Sequence, residues 1–251
     1  MNNKGVSLLV LLVAAALPAA AQLIPTAQSA RQCALGGCLI PERITSTALS
    51  IGWRQGFMVQ GMATRQIEVA TPIGERWFST LHYSHFGDAA YHEQQATMAG
   101  GVQAARWLTI AIYGIYSHMA TNDAHYTPQH WLDAGTALMV NTGNTLDAYI
   151  AVHSRRWDIH RPAGGRAGFV YRPIGPLTAT AEVSSDDRTR VRCGMEYIYE
   201  GRMAARAGLA TNPTTMTFGV GYAERHYQID LATEVHPTLG LTPQITFRLC
   251  L

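Results

Sequence analysis

Apolar and polar residues alternate through the last third of the chain, from Arg190 to Leu251, almost without a break. In the final stretch Ile245, Phe247, Leu249 and Leu251 share one parity, while Gln244, Thr246, Arg248 and Cys250 share the other. Upstream, Tyr227, Ile229, Leu231 and Val235 oppose Gln228, Asp230, Ala232 and Glu234. Before them, Met216, Phe218, Val220 and Tyr222 oppose Thr217, Gly219, Gly221 and Ala223. Successive side chains of a strand point to opposite faces, so each segment is apolar on one side and polar or small on the other. A strand of that kind suits a barrel with lipid outside and a polar lumen.

Extending the same period upstream predicts about fourteen strands. They fall near 47–57, 64–72, 76–86, 94–104, 107–118, 131–141, 145–154, 165–173, 177–184, 189–199, 203–210, 215–223, 226–235 and 240–251. Most approach the length of about 9–11 residues that crosses a bilayer at a steep tilt, and an even count is what a single-chain bacterial outer-membrane barrel requires. The connections agree. Those after even-numbered strands are short: Ile73-Gly74-Glu75, Ala105-Arg106, Thr142-Gly143-Asn144, Ile174-Gly175-Pro176, Gly201-Arg202 and Glu224-Arg225. The two longest, Met119 to His130 and Arg155 to Gly164, follow odd-numbered ones, as expected of short periplasmic turns and longer external loops. Trp77, Trp107, Trp131 and Trp157 fall at or near strand ends, where amphipathic rings favour the headgroup zone.

The N-terminus bears on the compartment. Lys4, an apolar run from Val6 to Ala16, and Pro18 before Ala19-Ala20-Ala21 read as a secretory signal cut after Ala21. About 230 residues follow, enough for one barrel, and no stretch is long and apolar enough for a membrane helix. Charged residues are only 14% of the chain against 47% hydrophobics, and a net charge of +2 carries no nucleic-acid footprint. Four cysteines in an exported chain raise the question of disulfides: Cys33 and Cys38 are close enough to pair, while Cys193 and Cys250 lie on separate strands.

The polar parity carries Arg54, Glu68, Asp147, Arg166, Arg172, Glu182, Arg190, Arg192, Glu196, Arg206, Asp230, Glu234 and Arg248. A charged constriction that selects solutes is one reading. The signs are interspersed, however, which favours ion pairs that brace a narrow barrel from within.

Ser29-Ala30-Arg31-Gln32-Cys33-Ala34-Leu35-Gly36-Gly37-Cys38 resembles the A-R-x-x-x-x-G-G-A opening of FadL-like outer-membrane proteins, among them the PorV and PorQ relatives associated with type IX secretion. Arg206-Ala207-Gly208-Leu209-Ala210-Thr211-Asn212-Pro213 resembles the R-A-G-x-x-T-N-P element of a PorV-like set. The stretch from Glu234 to Gln244 resembles that set's final H-x-x-L-G-x-[ST]-P segment. The resemblance implies a fourteen-stranded barrel whose N-terminal segment enters or caps the lumen. FadL carries long-chain fatty acids through a lateral opening, and PorV is a shuttle in type IX secretion. This chain is shorter than either and ends on Leu251 rather than an aromatic residue. Gly36 and Gly37 lack the strand-then-helix context of a phosphate cradle and fit a tight turn where the N-terminal segment meets the wall.

Catalytic chemistry has one candidate. His82-Tyr83-Ser84 puts a base and a hydroxyl on one face, as in lipid-modifying barrel hydrolases, yet parity sends both towards the lumen while lipid lies outside. His82 and His85, three apart, face opposite sides of the wall and share no metal. His92, His118, His125, His130, His153 and His160 gather around the outer loops, where solvated histidines are the simpler reading. The expectation is an all-β transmembrane up-and-down barrel, with residues 1–21 a signal peptide, 22–45 an N-terminal segment entering or capping the barrel and 46–251 the barrel itself. It is non-catalytic, without cofactor or metal, and has outer-membrane lipid as its surroundings. A PorV/PorQ-like role in type IX secretion or envelope assembly, in contact with secretion-machinery proteins, is expected first. FadL-like passage of small hydrophobic molecules is the alternative, and a lipid-modifying hydrolase a distant third.

Overall fold

A computed structural model describes residues 20–22, 28–123, 125–143, 145–155, 164–185 and 188–251. The signal segment up to residue 19, Trp157 and His160 lie outside the described residues. The N-terminal segment holds two short strands, β1 (Ala20–Gln22) and β2 (Glu42–Ile44), with helix α1 (Ala30–Ala34) between them. Fourteen further strands close into one barrel. They are β3 (Ala48–Gln55), β4 (Ala63–Ile73), β5 (Trp77–Gly87), β6 (Tyr91–Ala105), β7 (Leu108–Thr121), β8 (Gln129–Asn141), β9 (Leu146–Arg155), β10 (Gly164–Ile174), β11 (Leu177–Ser185), β12 (Thr189–Tyr199), β13 (Met203–Ala210), β14 (Thr215–Ala223), β15 (Tyr227–His236) and β16 (Gly240–Cys250). Each pairs antiparallel with the next, and β16 pairs back onto β3 from Gln244↔Arg54 to Cys250↔Ala48. Every ladder is therefore paired and the barrel has no open edge, as a lipid-spanning sheet requires.

The fourteen strands stand where the alternation predicts them. β6, β7 and β8 begin or end two to three residues further out on the long-loop side, at Tyr91, Thr121 and Gln129. There the backbone ladder continues past the apolar pattern and takes in His92 and His130, so hydrophobicity alone stops short of the strand ends.

The odd-even division separates two surfaces. Met98, Ile112, Phe169, Met216, Phe218 and Val220 stand exposed on the outside, a burial pattern that makes sense when lipid is the solvent. Trp77, Trp107, Tyr199, Tyr222 and Tyr227 are exposed near the short-turn end, and Tyr222 and Tyr227 lie with ring centroids 6.2 Å apart. Trp53, Tyr83 and Tyr116 are exposed towards the long-loop end. Two aromatic girdles thus bracket the apolar band. Trp131 corrects the expectation: it pairs with Ser117 and shares parity with buried Asp133, which puts it on the lumen side.

Inside the wall runs the N-terminal segment. Helix α1 is opened by a capping box, in which Ser29 Oγ accepts from Gln32 N and Gln32 Oε1 accepts from Ser29 N. Gly36 and Gly37 end it with φ of 74° and 81°, the left-handed region that glycine adopts without strain. The chain then extends to β2, which pairs with β1 against the inner face of β4–β6.

Candidate functional site: a plugged lumen

Small inward residues on three successive strands make room for α1. A Cβ on Gly194 would lie 2.7 Å from Leu35 Cα, one on Gly208 would overlap Gly36 N, and one on Gly219 would lie 2.5 Å from the Ala34 Cβ. Plug backbone and wall backbone therefore meet with no side chain between them. Thr217 Oγ1 joins the two, accepting from Gly36 N and donating to Ala34 O, both at 3.0 Å. Thr246 Oγ1 accepts from Ala30 N at 2.9 Å, and Glu182 Oε2 accepts from Leu39 N at 2.9 Å. Gln66 and Gln244 both donate to Gln28 O. The first amide of the short helix, that of Ala30, is met by a wall side chain, while that of Gln32 is met by the helix's own Ser29 cap.

Charge completes the seat. Glu196, 1% exposed, accepts from Arg31 of the plug through Nε at 3.0 Å and Nη2 at 2.6 Å, and from Arg206 Nε at 2.5 Å. Arg206 Nη1 continues to Asp230 at 2.6 Å, whose other oxygen accepts from Gln228 at 2.6 Å. Glu182, equally buried, is met by Arg192 Nη1 at 2.7 Å, by Tyr149 Oη at 2.8 Å and by Arg166 at 3.8 Å. Arg192 also donates to Ser184 at 2.6 Å. Nearer the two mouths, Arg54 pairs with Glu234 at 2.8 Å and Arg172 with Asp147 at 2.6 Å. Of the remaining charges, Glu68 and Arg248 line a cavity on the short-turn side of the plug, and Arg190 stands at the long-loop mouth.

The other half of the lumen carries an apolar cluster among its buried polar residues, which include Thr80, Thr97, Thr109, Ser117 and Asp133, where parity alone predicts a polar face. Phe78, Tyr113, Met139, Tyr149 and Val170 point inward from β5, β7, β8, β9 and β10, among Ala99, Ala111, Ala137 and Ala151, and are covered by Leu39 and Ile44 of the N-terminal segment. The large rings lie over glycines of the adjacent strands. Phe78 covers Gly101, Tyr113 covers Gly135 with its hydroxyl donating to Val152 O at 3.2 Å, and Tyr149 covers Gly168. Large against small across neighbouring strands is how a narrow barrel fills its interior. Two signals in the sequence mark this arrangement: the inward parity of Gly194, Gly208 and Gly219 on consecutive strands, and the Ser29-x-x-Gln32 capping box.

Two cavities flank the plug. One of about 50 Å³ on the short-turn side is lined by Arg31, Gln66, Glu68, His82, Asp230 and Arg248. The other, about 160 Å³ and facing the long loops, is lined by Gly36, Gly37, Arg54, Arg190, Arg192 and Glu234. Neither reaches the ~300–1,000 Å³ of a pocket for a drug-sized ligand. His82 and Ser84 both face inward and are buried, and among the described residues neither ring nitrogen of His82 has a hydrogen-bond partner, so His82 and Ser84 are not hydrogen-bonded to each other.

All four cysteines are free thiols, so Cys33 and Cys38 do not form the bridge their spacing allows. Burial in the plug seat pushes both thiols up to about 12. A buried, protonated thiol is a poor nucleophile. At pH 7.5 a maleimide should therefore label both at least roughly tenfold more slowly in the folded barrel than after heating in SDS. Equal rates would show that the segment does not stay seated.

No protein-family model matches the chain, and no curated protein matches it in sequence. Solved structures match its fold. The P. putida toluene transporter TodX superposes with a TM-score of 0.60 at 10% identity, over 89% of this chain and 98% of that one. The monoaromatic hydrocarbon channel CymD gives 0.60 at 10% identity, over 82% and 88%. The outer-membrane protein Omp33 of Acinetobacter baumannii gives 0.58 at 6% identity, over 82% and 98%. The chain has the fold of a bacterial outer-membrane β-barrel, of the FadL-like kind seen in TodX.

Proposed function

We propose that this protein is exported behind a signal cleaved after Ala21, which leaves only Gln22 of β1 in the mature chain, inserts in the outer membrane with its long loops outside, and passes small hydrophobic molecules through a barrel closed by its own N-terminal segment, chiefly α1 and the stretch to β2. The apolar inner wall from Phe78 to Val170 carries this reading. Water-filled channels have polar interiors, and a buried apolar strip running beside a removable segment is a surface along which a hydrophobic solute can move. The two small cavities belong to the closed state. The fold likeness to TodX and CymD, a toluene transporter and a hydrocarbon channel, adds the solute class.

Radiolabelled toluene is the probe. Cells expressing the full chain should take it up several-fold faster at early times than cells with empty vector, and Met139→Glu, which places a charge on the strip, should remove the gain. Uptake at the vector level from a heat-modifiable, correctly inserted barrel would overturn the reading.

A second reading has its own observation. The turns at 211–214 and 237–239, which hold the two motifs that resemble the PorV-like set, share the long-loop rim with the loop at 56–62. Asn212 Nδ2 donates to Thr189 O at 2.7 Å, and His236 Nδ1 accepts from Thr238 N and Leu239 N while its ring meets Phe57 edge-on at 6.0 Å. An ordered rim over a filled lumen suits an accessory of type IX secretion or envelope assembly that acts by contact. Recovery of secretion machinery on the tagged barrel in mild detergent supports that role; recovery of none overturns it.

A further inference from the structure

On the outer surface of β4–β8, directly paired residues form one lateral row: Arg65↔His85, His85↔Gln94, Gln94↔His118 and His118↔His130. All five share parity with exposed, lipid-facing neighbours such as Ile67, Leu81, Met98, Ile112 and Leu132. His92, two residues from Gln94 on the same face, fills in between, with its ring centroid 5.8 Å from both His85 and His118. His118 and His130 are closer still, at 4.5 Å, and Tyr116 Oη meets His130 Nδ1 at 2.7 Å.

Depth gives the row its meaning. Immediately below it, towards the apolar band, stand Tyr83 and Tyr116 of the long-loop girdle, which mark the boundary between hydrocarbon and headgroup. The row therefore lies at the headgroup level of the outer leaflet, where lipid phosphates are. Among the described residues no carboxylate interrupts it. Glu93 and Tyr91 of β6 have the lumen parity, Asp123 in the β7–β8 loop is taken up by His125 at 2.8 Å, and Asp88 turns back on Ala90 N at 2.9 Å. The groups facing the imidazoles are thus Arg65, the Tyr116 hydroxyl and one another.

From this we infer that the row is a binding strip for the phosphates of an outer-leaflet glycolipid. Neighbouring imidazoles repel one another when both are protonated, and a phosphate anion laid across them offsets that repulsion while Arg65 supplies a fixed positive charge. Neutral rings still donate one N–H each. A bound phosphate favours the protonated rings, so binding and protonation are linked and the strip tightens as pH falls. Among the described residues no group of three or more His, Cys, Asp or Glu is arranged to hold a metal ion, which favours an extended anion strip over a metal centre. The inference rests on the outer-membrane placement proposed above, not on what the lumen passes.

The test uses the full mature chain folded into phosphatidylcholine vesicles with or without diphosphorylated lipid A, with the unfolding midpoint read by gel mobility. At about a hundredfold excess over Kd, lipid A should raise the midpoint by roughly 5–10 °C at pH 5.5 and by clearly less at pH 8. Enzymatically dephosphorylated lipid A should give no rise on the unaltered protein, and the triple variant His92→Gln/His118→Gln/His130→Gln should lose most of the pH 5.5 gain. An equal rise with dephosphorylated lipid, with inorganic phosphate alone or with Zn²⁺ alone would overturn the inference, as would a triple variant that keeps the full gain. Toluene uptake is read separately, so either proposal can fail without the other.

Discussion

Arg206→Ala is expected to lower the unfolding free energy of the barrel by about 3–5 kcal/mol, the usual cost of removing one partner from a buried ion pair. The side chain is 3% exposed and joins two buried carboxylates, Glu196 at 2.5 Å and Asp230 at 2.6 Å. Its loss leaves Asp230 with the Gln228 amide as donor and Glu196 with Arg31 of the plug. Arg192→Ala should act in the same direction but more weakly, because Glu182 keeps Tyr149, Leu39 N and, at 3.8 Å, Arg166. Arg172→Ala, at a mouth where the arginine is 31% exposed, should cost no more than about 1 kcal/mol. Urea titration of vesicle-inserted barrels, followed by tryptophan fluorescence, separates the three. An Arg206→Ala midpoint equal to that of the unaltered chain would mean that the braced half of the lumen is wet and the pairs are screened.

That contrast bears on how much of this molecule its sequence discloses. Strand number, strand position and the side on which the short turns fall are legible because lipid on one face and polar groups on the other enforce a period of two, and a one-residue slip would bury Arg206 in hydrocarbon. Charged residues are legible as a set for the same reason. Their partners are not, since Arg206 and Glu196 meet through the β12–β13 register while Arg31 reaches Glu196 from a segment 165 residues away. The apolar cluster of the lumen escapes parity. Trp77 and Phe78, or Ile112 and Tyr113, are adjacent and both apolar, yet one faces lipid and the other the plug. Alternation identifies a wall only where its two faces differ in polarity. The glycines opposite these rings, Gly101, Gly135 and Gly168, are similarly mute, because each is isolated on its strand pair, unlike Gly194, Gly208 and Gly219 on consecutive strands under the plug. The outer histidine row fails for a different reason. Arg65, His85, Gln94 and His118 fall inside the predicted strands and His92 and His130 just beyond them, but only the ladder register brings the six together in one row.

The plug seat sets the second large effect. Gly208→Leu should convert a closed barrel into an open one. The missing Cβ is what lets Gly36 N and Leu35 come down onto β13. β13 cannot retreat, since it is hydrogen-bonded along its length to β12 and β14. The plug must give instead, and with it go the contacts of Thr217 to Gly36 and Ala34 and the Arg31–Glu196 bridge. The wall survives that loss because Glu196 retains Arg206. In planar bilayers the unaltered chain should be electrically silent over most of a recording, whereas Gly208→Leu should show sustained conductance steps. Cys33 should at the same time label at close to the rate of the SDS-unfolded chain. Gly100→Ala is the control, since the added methyl would stand 3.8 Å from its nearest neighbour, Phe78 O, and nothing need move. If Gly208→Leu remained silent and kept Cys33 protected, the wall rather than the plug would have yielded. Gating by withdrawal of the N-terminal segment would then be untenable, and hydrophobic solutes would have to leave through the side of the barrel.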